Sequence, residues 1–227
     1  TTCPATATSK NERVTKSTTT AIGTQTTAQT VCAPNAATYT VSATGTELSD
    51  QWQVATAAAP TVFTNVGTNS SSYNTGATSV AMSGNIYHVI VTGSCNVVTS
   101  ANVTLTVNTS AAIIAPQPAD VTVCNGPPAS FTVSATGTGA TYQWQSATAV
   151  GGPYTNISGA TLATYTIAAT TPAMNNTYYQ AVVTTTACSG SATSVPAKLT
   201  VNTIATITAQ PTAQSACVPN TATFSVT

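Results

Sequence analysis

Phe131-Thr132-Val133-Ser134-Ala135-Thr136-Gly137-Thr138, followed by Tyr142-Gln143-Trp144-Gln145, decides how this 227-residue chain folds. Apolar and aromatic residues alternate with small polar ones, the period of a half-buried strand, and Gly137-Thr138-Gly139 breaks the run as a turn. The same words occur earlier as Tyr39-Thr40-Val41-Ser42-Ala43-Thr44-Gly45-Thr46 and Gln51-Trp52-Gln53. The two copies are in register: Cys32 to Cys124, Trp52 to Trp144 and Met82 to Met174 are each 92 residues apart, and Cys95 to Cys188 is 93. The chain is a tandem repeat, and a module of roughly 90 residues can bury a small core of its own.

A second interval places the ends. Cys3 precedes Cys32, Cys95 precedes Cys124 and Cys188 precedes Cys217 by 29 residues each, so Cys3 is a late cysteine and Cys217 an early one. The expected organisation is the end of a preceding module at 1–23, complete modules at 24–109 and 110–203, and the start of a following module at 204–227. On this reading the chain is a window on a longer polypeptide.

Within the second module, alternation predicts strands at Ser130 to Thr136, Thr141 to Ser146, Tyr154 to Ile157, Leu162 to Ile167, Tyr178 to Thr184 and Ala192 to Val201. Breakers such as Gly151-Gly152-Pro153 and Ser158-Gly159 separate them. Short strands at this spacing, with no stretch of helical period, predict an all-β chain of antiparallel sandwiches, about 92 residues per module.

Composition removes several functions. Hydrophobic residues make up 42% of the chain and charged residues 4%, with a formal net charge of zero. Disorder usually needs low hydrophobicity and high charge, so a folded chain is expected. The four Lys and Arg form no basic stripe for phosphates, which argues against nucleic acid as a partner. No apolar run approaches the roughly 20 residues of a membrane helix, so no membrane insertion is expected.

Chemistry has little to work with. His88 is the sole histidine, aligns with Gln180, and is expected on the solvent-facing side of a late strand. Glu12, Glu47, Asp50 and Asp120 are the acidic residues; only Glu47 and Asp50 are close in sequence, too few carboxylates for a calcium site. The cysteines lack the short paired spacing of a zinc ribbon. No catalytic residue, metal site or cofactor is therefore expected. Trp52 and Trp144 are expected in the core because they share one place in the repeat, with Val41, Val133, Val89, Ala181, Tyr87 and Tyr179 beside them. The segment Ser9-Lys10-Asn11-Glu12-Arg13-Val14-Thr15-Lys16 holds half of the charged residues and reads as a divergent, exposed module edge.

The pattern resembles an immunoglobulin-like domain of the intermediate set. Pro118, Asn125-Gly126, Phe131-Thr132-Val133, Trp144, Leu162 to Ile167, Tyr179-Gln180-Ala181 and Leu199-Thr200-Val201 carry the resemblance, and Phe63, Tyr73, Tyr87-His88-Val89 and Leu105-Thr106-Val107 repeat most of it. The wording Thr-Val-Cys, Val-Ser-Ala-Thr-Gly-Thr, Tyr-Gln-Trp-Gln and Leu-Thr-Val-Asn is similar to tandem repeats of large secreted surface proteins of Bacteroidota-type bacteria. That resemblance implies a noncatalytic segment of an extracellular fibre or cell-surface adhesin stalk, located outside the cell, self-associating or joined to further copies of its repeat. The competing expectation is a module array that binds a glycan or a host protein, and a third is an accessory region of a secreted enzyme.

The cysteines depart from the antibody-type pattern. Val133 and Ala181 stand where such domains place their inter-sheet disulfide, whereas Cys124 falls at the end of the first strand and Cys188 in the last hairpin turn. In this topology those sites lie at opposite poles, beyond the roughly 7 Å Cα separation that a disulfide spans. One expectation is a bond across the junction, Cys32 with Cys188, leaving Cys3, Cys95, Cys124 and Cys217 to bond modules outside the window or in another chain. The alternative is pairing within each module, Cys32 with Cys95 and Cys124 with Cys188, the habit of small secreted domains.

Overall fold

Threonine-rich alternation becomes strand pairing from Ala21 to Asn202 in the computed structural model, which describes residues 15–227. Cys3 and the charged residues 9–14 lie outside that range. The chain divides into two compact units between Thr109 and Ser110.

The first sandwich runs through β1 (Ala21–Gln25), β2 (Gln29–Cys32), β3 (Thr38–Thr44), β4 (Ser49–Ala55), β5 (Thr64–Val66), β6 (Ser72–Asn74), β7 (Ile86–Thr92), β8 (Val97–Thr99) and β9 (Val103–Asn108). One sheet has the order β2-β9-β7-β4-β5, with β8 on β7, and the other has β1-β3-β6. Pairing is antiparallel except for β2, which runs parallel to β9. The module edge expected between residues 23 and 24 falls inside β1, whose pairing with β3 ties it to this sandwich.

The second sandwich repeats the plan with β10 (Ala112–Ile114), β11 (Val121–Cys124), β12 (Ala129–Thr132), β13 (Ser134–Thr136), β14 (Ala140–Ala147), β15 (Thr155–Asn156), β16 (Thr164–Ile167), β17 (Thr177–Thr185), β18 (Ser191–Thr193) and β19 (Ala197–Asn202). Its larger sheet has the order β11-β19-β17-β14-β15, and β10-β13 and β12-β16 face it.

The period-2 pattern sorts side chains between core and surface. In β9 the inward residues Val103, Leu105 and Val107 are buried and Thr104 and Thr106 are exposed. Outward threonines pair across strands through their hydroxyls, as Thr141 with Thr184 at 2.9 Å and Thr132 with Thr164 at 3.0 Å. Cross-strand pairs of this kind stabilise a sheet by a few tenths of a kcal/mol to about 1 kcal/mol each.

Each core is built around one tryptophan. Trp144 packs with Val133, Phe131, Tyr179, Ala181 and Leu199, all buried. Trp52 packs with Val41, Tyr39, Tyr87, Val89 and Leu105 in the same arrangement. Each indole N–H donates to a backbone carbonyl 2.9 Å away, Ser70 for Trp52 and Leu162 for Trp144. Burial of the ring therefore leaves no polar atom unpaired.

Two predicted strands break in the structure. The run from Ser130 divides at Val133, where the chain exchanges partners: Val133 N–H donates to Ala163 and Ser134 N–H to Pro116, so β12 pairs β16 and β13 pairs β10. The run from Ala192 divides around Ser194-Val195-Pro196, because proline offers no N–H to a ladder and the buried Ser194 Oγ instead accepts from Ala181 N–H at 2.9 Å.

Residues 203–227 contain no strand, although 204–227 was expected to open a third module. Phe224 and Val226 are 63% and 57% exposed.

Candidate functional site

His88 sits in the middle of β7, on the outer face of the larger sheet, but it is only 8% exposed. That corrects the solvent-facing placement expected from the sequence. Phe63, in the segment that returns before β5, stacks on the imidazole with centroids 4.0 Å apart. Nε2 lies 2.8 Å from Gln53 Oε1 and Nδ1 lies 3.0 Å from Asn102 Oδ1, while Gln53 Nε2 donates to Asn65 Oδ1. The second sandwich builds the same row from amides alone, Gln180 to Gln145 to Asn156. His88 thus replaces one amide in a structural ladder, with amides rather than a nucleophile or a carboxylate on its ring nitrogens.

The carboxylates are dispersed over separate structural contacts. Glu47 accepts from Ser94 Oγ at 2.7 Å, and Asp120 accepts from the backbone N–H of Lys198 at 2.7 Å. Asp50 has one buried, unpaired carboxylate oxygen, and burial raises its carboxyl above the usual value. Among the described residues no group of three or more His, Cys, Asp or Glu side chains is placed to hold a metal ion. Among them no helix is long and apolar enough to cross a membrane. A surface groove of about 360 Å³ follows β16 and is lined by Ser158, Thr161, Leu162, Thr164 and Thr166; it offers no titratable group but Tyr165.

The cysteines are the reactive groups with a spatial pattern. Cys32 ends β2 opposite Asn108, and Asn108 lies four residues past Thr104, the partner of Ile86. Cys95 follows the far end of β7, beyond Thr92. About ten residue rises therefore separate them along the sheet, roughly 33 Å at the usual strand rise. In the second sandwich Cys124 ends β11 opposite Asn202, and Cys188 follows the far end of β17 beyond Thr185. Each module carries one cysteine at its downstream pole, where the last strand ends, and one at its upstream pole, where the first strand begins.

Local contacts hold these poles. At the upstream pole of the first sandwich, Asn96, next to Cys95, accepts from Thr20 N–H at 2.7 Å and donates to Thr20 carbonyl at 3.1 Å. At the upstream pole of the second, Gly137 has φ +139°, and a Cβ there would meet Thr185 Cγ2 at 2.5 Å and Ala111 Cα at 3.1 Å. Only glycine lets the incoming chain lie so close to that turn. Thr185 Oγ1 donates to the Cys188 carbonyl at 2.7 Å.

Cys32 is held in a disulfide and so is Cys188, whereas Cys95, Cys124 and Cys217 are exposed free thiols. The within-module pairs Cys32 with Cys95 and Cys124 with Cys188 are therefore absent. The physical reason is the length of a sandwich, several times the span of a disulfide.

Strand order, the tryptophan between two facing sheets and the apolar pair in place of a pin disulfide define a class: the chain is a tandem of immunoglobulin-like β-sandwiches. The model of a family described as "Domain of unknown function (DUF8696)" matches residues 115–203, the second sandwich. No curated protein sequence matches the chain. Among solved structures, a three-immunoglobulin-domain fragment of titin is similar over 81% of this chain and 65% of that one, with TM-score 0.61 and 15% identity. This chain thus spans about two thirds of that fragment's length. The two-domain fragment of DIP-gamma is similar over 81% of this chain and 97% of its own, with TM-score 0.55 and 13% identity. At these identities the likeness is one of fold.

Proposed function

We propose that the chain is a noncatalytic spacer segment of an extracellular fibre or cell-surface adhesin stalk, a row of immunoglobulin-like modules stiffened at its junctions by disulfides. In this reading Cys32 bonds Cys188, the early cysteine of one module to the late cysteine of the next. The observation that carries it is the sorting of the cysteines: Cys32 and Cys188 are bonded, and the other described cysteines are free. Cys3 has one sulfur and cannot satisfy both bonded cysteines.

Two further observations support it. Thr109, Ser110 and Ala111 alone separate β9 from β10, a linker too short for the wide excursions of a flexible tether. The turn after Cys32, closed by Asn35 N–H to the Cys32 carbonyl at 2.8 Å, recurs after Cys217 as Asn220 N–H to the Cys217 carbonyl at 2.7 Å. That recurrence supports reading 204–227 as the start of a further module after 24–109 and 110–203, with 1–23 as the end of an earlier one. Partners of this spacer are other copies of the repeat.

Stiffness is the testable property. Electron imaging of the purified chain should show a narrow distribution of angles between the two sandwiches, and reduction or Cys32→Ser should broaden it. An unchanged distribution after reduction would remove the disulfide from the mechanism.

A further inference from the structure

β16 is an open edge inside the second sandwich. Among the described residues it pairs with β12 and with no other strand. Val133 N–H donates to the Ala163 carbonyl at 3.0 Å, in the same register that sets Phe131 opposite Tyr165. Hydrogen-bonded and non-hydrogen-bonded pairs alternate along an antiparallel ladder, so Thr164, opposite Thr132, and Thr166, opposite Ser130, belong to the second kind. Their backbone N–H and C=O groups therefore point away from β12. Proteins guard such edges with lysine, proline or a bulge. Residues 158–170 hold no charge and no proline, and the β12–β16 register has no shift.

The first sandwich closes the same edge. There β6 holds this place on β3, with Ser72 opposite Thr40 as Thr164 is opposite Thr132. Ser72 N–H donates to Ser70 Oγ at 3.2 Å, so the side chain two residues back caps the outward donor. Ser70 and Leu162 are equivalent, because the carbonyl of each receives the N–H of its core indole. Leu162 offers no side-chain acceptor, is 72% exposed, and leaves the Thr164 donor open.

We infer that the β16 edge docks the β16 edge of a second copy of this chain, antiparallel and two-fold about Tyr165. That axis sets Thr164 opposite the second copy's Thr166, and Leu162 opposite its Ala168, which is also exposed. The threonine pairs exchange both backbone hydrogen bonds, and their hydroxyls come abreast as those of Thr141 and Thr184 do at 2.9 Å. A second copy is the occupant because the edge is complementary to itself, threonine meeting threonine and apolar meeting apolar. Charge does not oppose the approach: Asp120 and Lys198 are the charged residues of 110–203, and they sit together beside β19 on the larger sheet. The contact is isologous and closes as a dimer. Such pairing goes beyond the spacer reading, setting two chains side by side, and needs no junction disulfide.

The test is sedimentation of the full chain in reductant over a wide concentration range, with amide hydrogen exchange followed in parallel. The chain should pass from monomer to dimer and no further, and the Thr164 and Thr166 amides should exchange more slowly in the dimer while Ser72 keeps one rate. Thr164→Pro removes an outward donor without touching the β12 ladder, a change edge strands tolerate; it should abolish the dimer and leave the tryptophan fluorescence of the fold unchanged. Leu162→Ser installs the cap of the first sandwich and, counted twice by the axis, should weaken the dimer about tenfold. A chain monomeric at every concentration overturns the inference. So does a dimer that forms as readily in both variants, or one that protects other amides and leaves Thr164 and Thr166 unchanged. If Thr164→Pro fails to fold, Leu162→Ser, which keeps the carbonyl facing Trp144, decides between the two outcomes.

Discussion

Tyr39 and Phe131 occupy the same place in the two sandwiches, and only one of them carries a hydroxyl. Each ring stacks on the equivalent tyrosine of the late strand with centroids 4.7 Å apart, Tyr39 on Tyr87 and Phe131 on Tyr179. The Tyr39 hydroxyl is buried without a hydrogen-bond partner among the described residues. The comparison teaches that this repeat tolerates a polar atom in the first core that the second core dispenses with. A buried, unpaired hydroxyl costs about 1–3 kcal/mol, so the first sandwich is the more vulnerable to changes that act on its phenols.

The largest expected effect tests whether the two cores are separate at all. Trp52→Ala should cost the first sandwich about 3–5 kcal/mol, and Trp144→Ala the second a similar amount. Urea unfolding of the reduced chain, followed through the remaining tryptophan, should leave the other transition within about 0.5 kcal/mol of its original position. A matching shift of both transitions would mean one coupled core.

Alkaline pH should separate the sandwiches next. Burial raises the Tyr39 phenol far above its ordinary value, with Tyr87 and Tyr73 adding to it, and burial also raises Tyr87 and Tyr73. In the second sandwich burial pushes Tyr179 up to about 12, with Tyr165 adding to it, and burial raises Tyr165 and, with Tyr178 adding to it, Tyr154. A raised phenol means the folded state holds its proton longer than the unfolded state, so its contribution is full below pH 10 and falls as pH rises through the folded value. Each such phenol contributes a loss of about 1.4 kcal/mol per pH unit in that window. Above pH about 12, where Tyr179 has given up its proton in the folded state and the higher-lying Tyr39 has not, the urea midpoint read by Trp52 in Trp144→Phe should still fall while that read by Trp144 in Trp52→Phe levels off. Equal slopes would contradict the comparison.

Exchanging the hydroxyl is a smaller and more local change. Tyr39→Phe should stabilise the first sandwich by about 1 kcal/mol, and Phe131→Tyr should destabilise the second by about 1–3 kcal/mol; thermal melts of each variant measure both. Smallest is His88→Gln, which installs the amide that the second sandwich uses at this position. It removes the stack on Phe63, a contact of the kind that contributes about 0.5–1.5 kcal/mol, and the melt of the first sandwich alone should drop by about that amount.

Much of the architecture was legible because it rests on periodicity. Alternation in Thr38 to Thr44 and Val103 to Asn108 marks the inward residues, and the 92-residue register carries Trp52 onto Trp144. What escaped depends on partners far away in the chain. The break at Val133 reflects β10 and β16 competing for one strand, which alternation does not record. The burial of His88 depends on Phe63, brought across the sheet by a loop with no periodic signal. The Asn96 clamp on Thr20 was missed too, since 76 residues separate its ends. Cysteine spacing alone shows equivalence of position; their placement at opposite poles came from the resembled topology, in which β2 runs parallel to β9.

The account turns on how the cysteines are sorted between bonded and free. Disulfide mapping of the monomeric chain, alkylated and digested without reductant, tests that most directly. The expected result is a Cys32–Cys188 peptide with alkylated Cys95 and Cys124. Recovery of Cys32–Cys95 or Cys124–Cys188, or an alkylated Cys32, would contradict it.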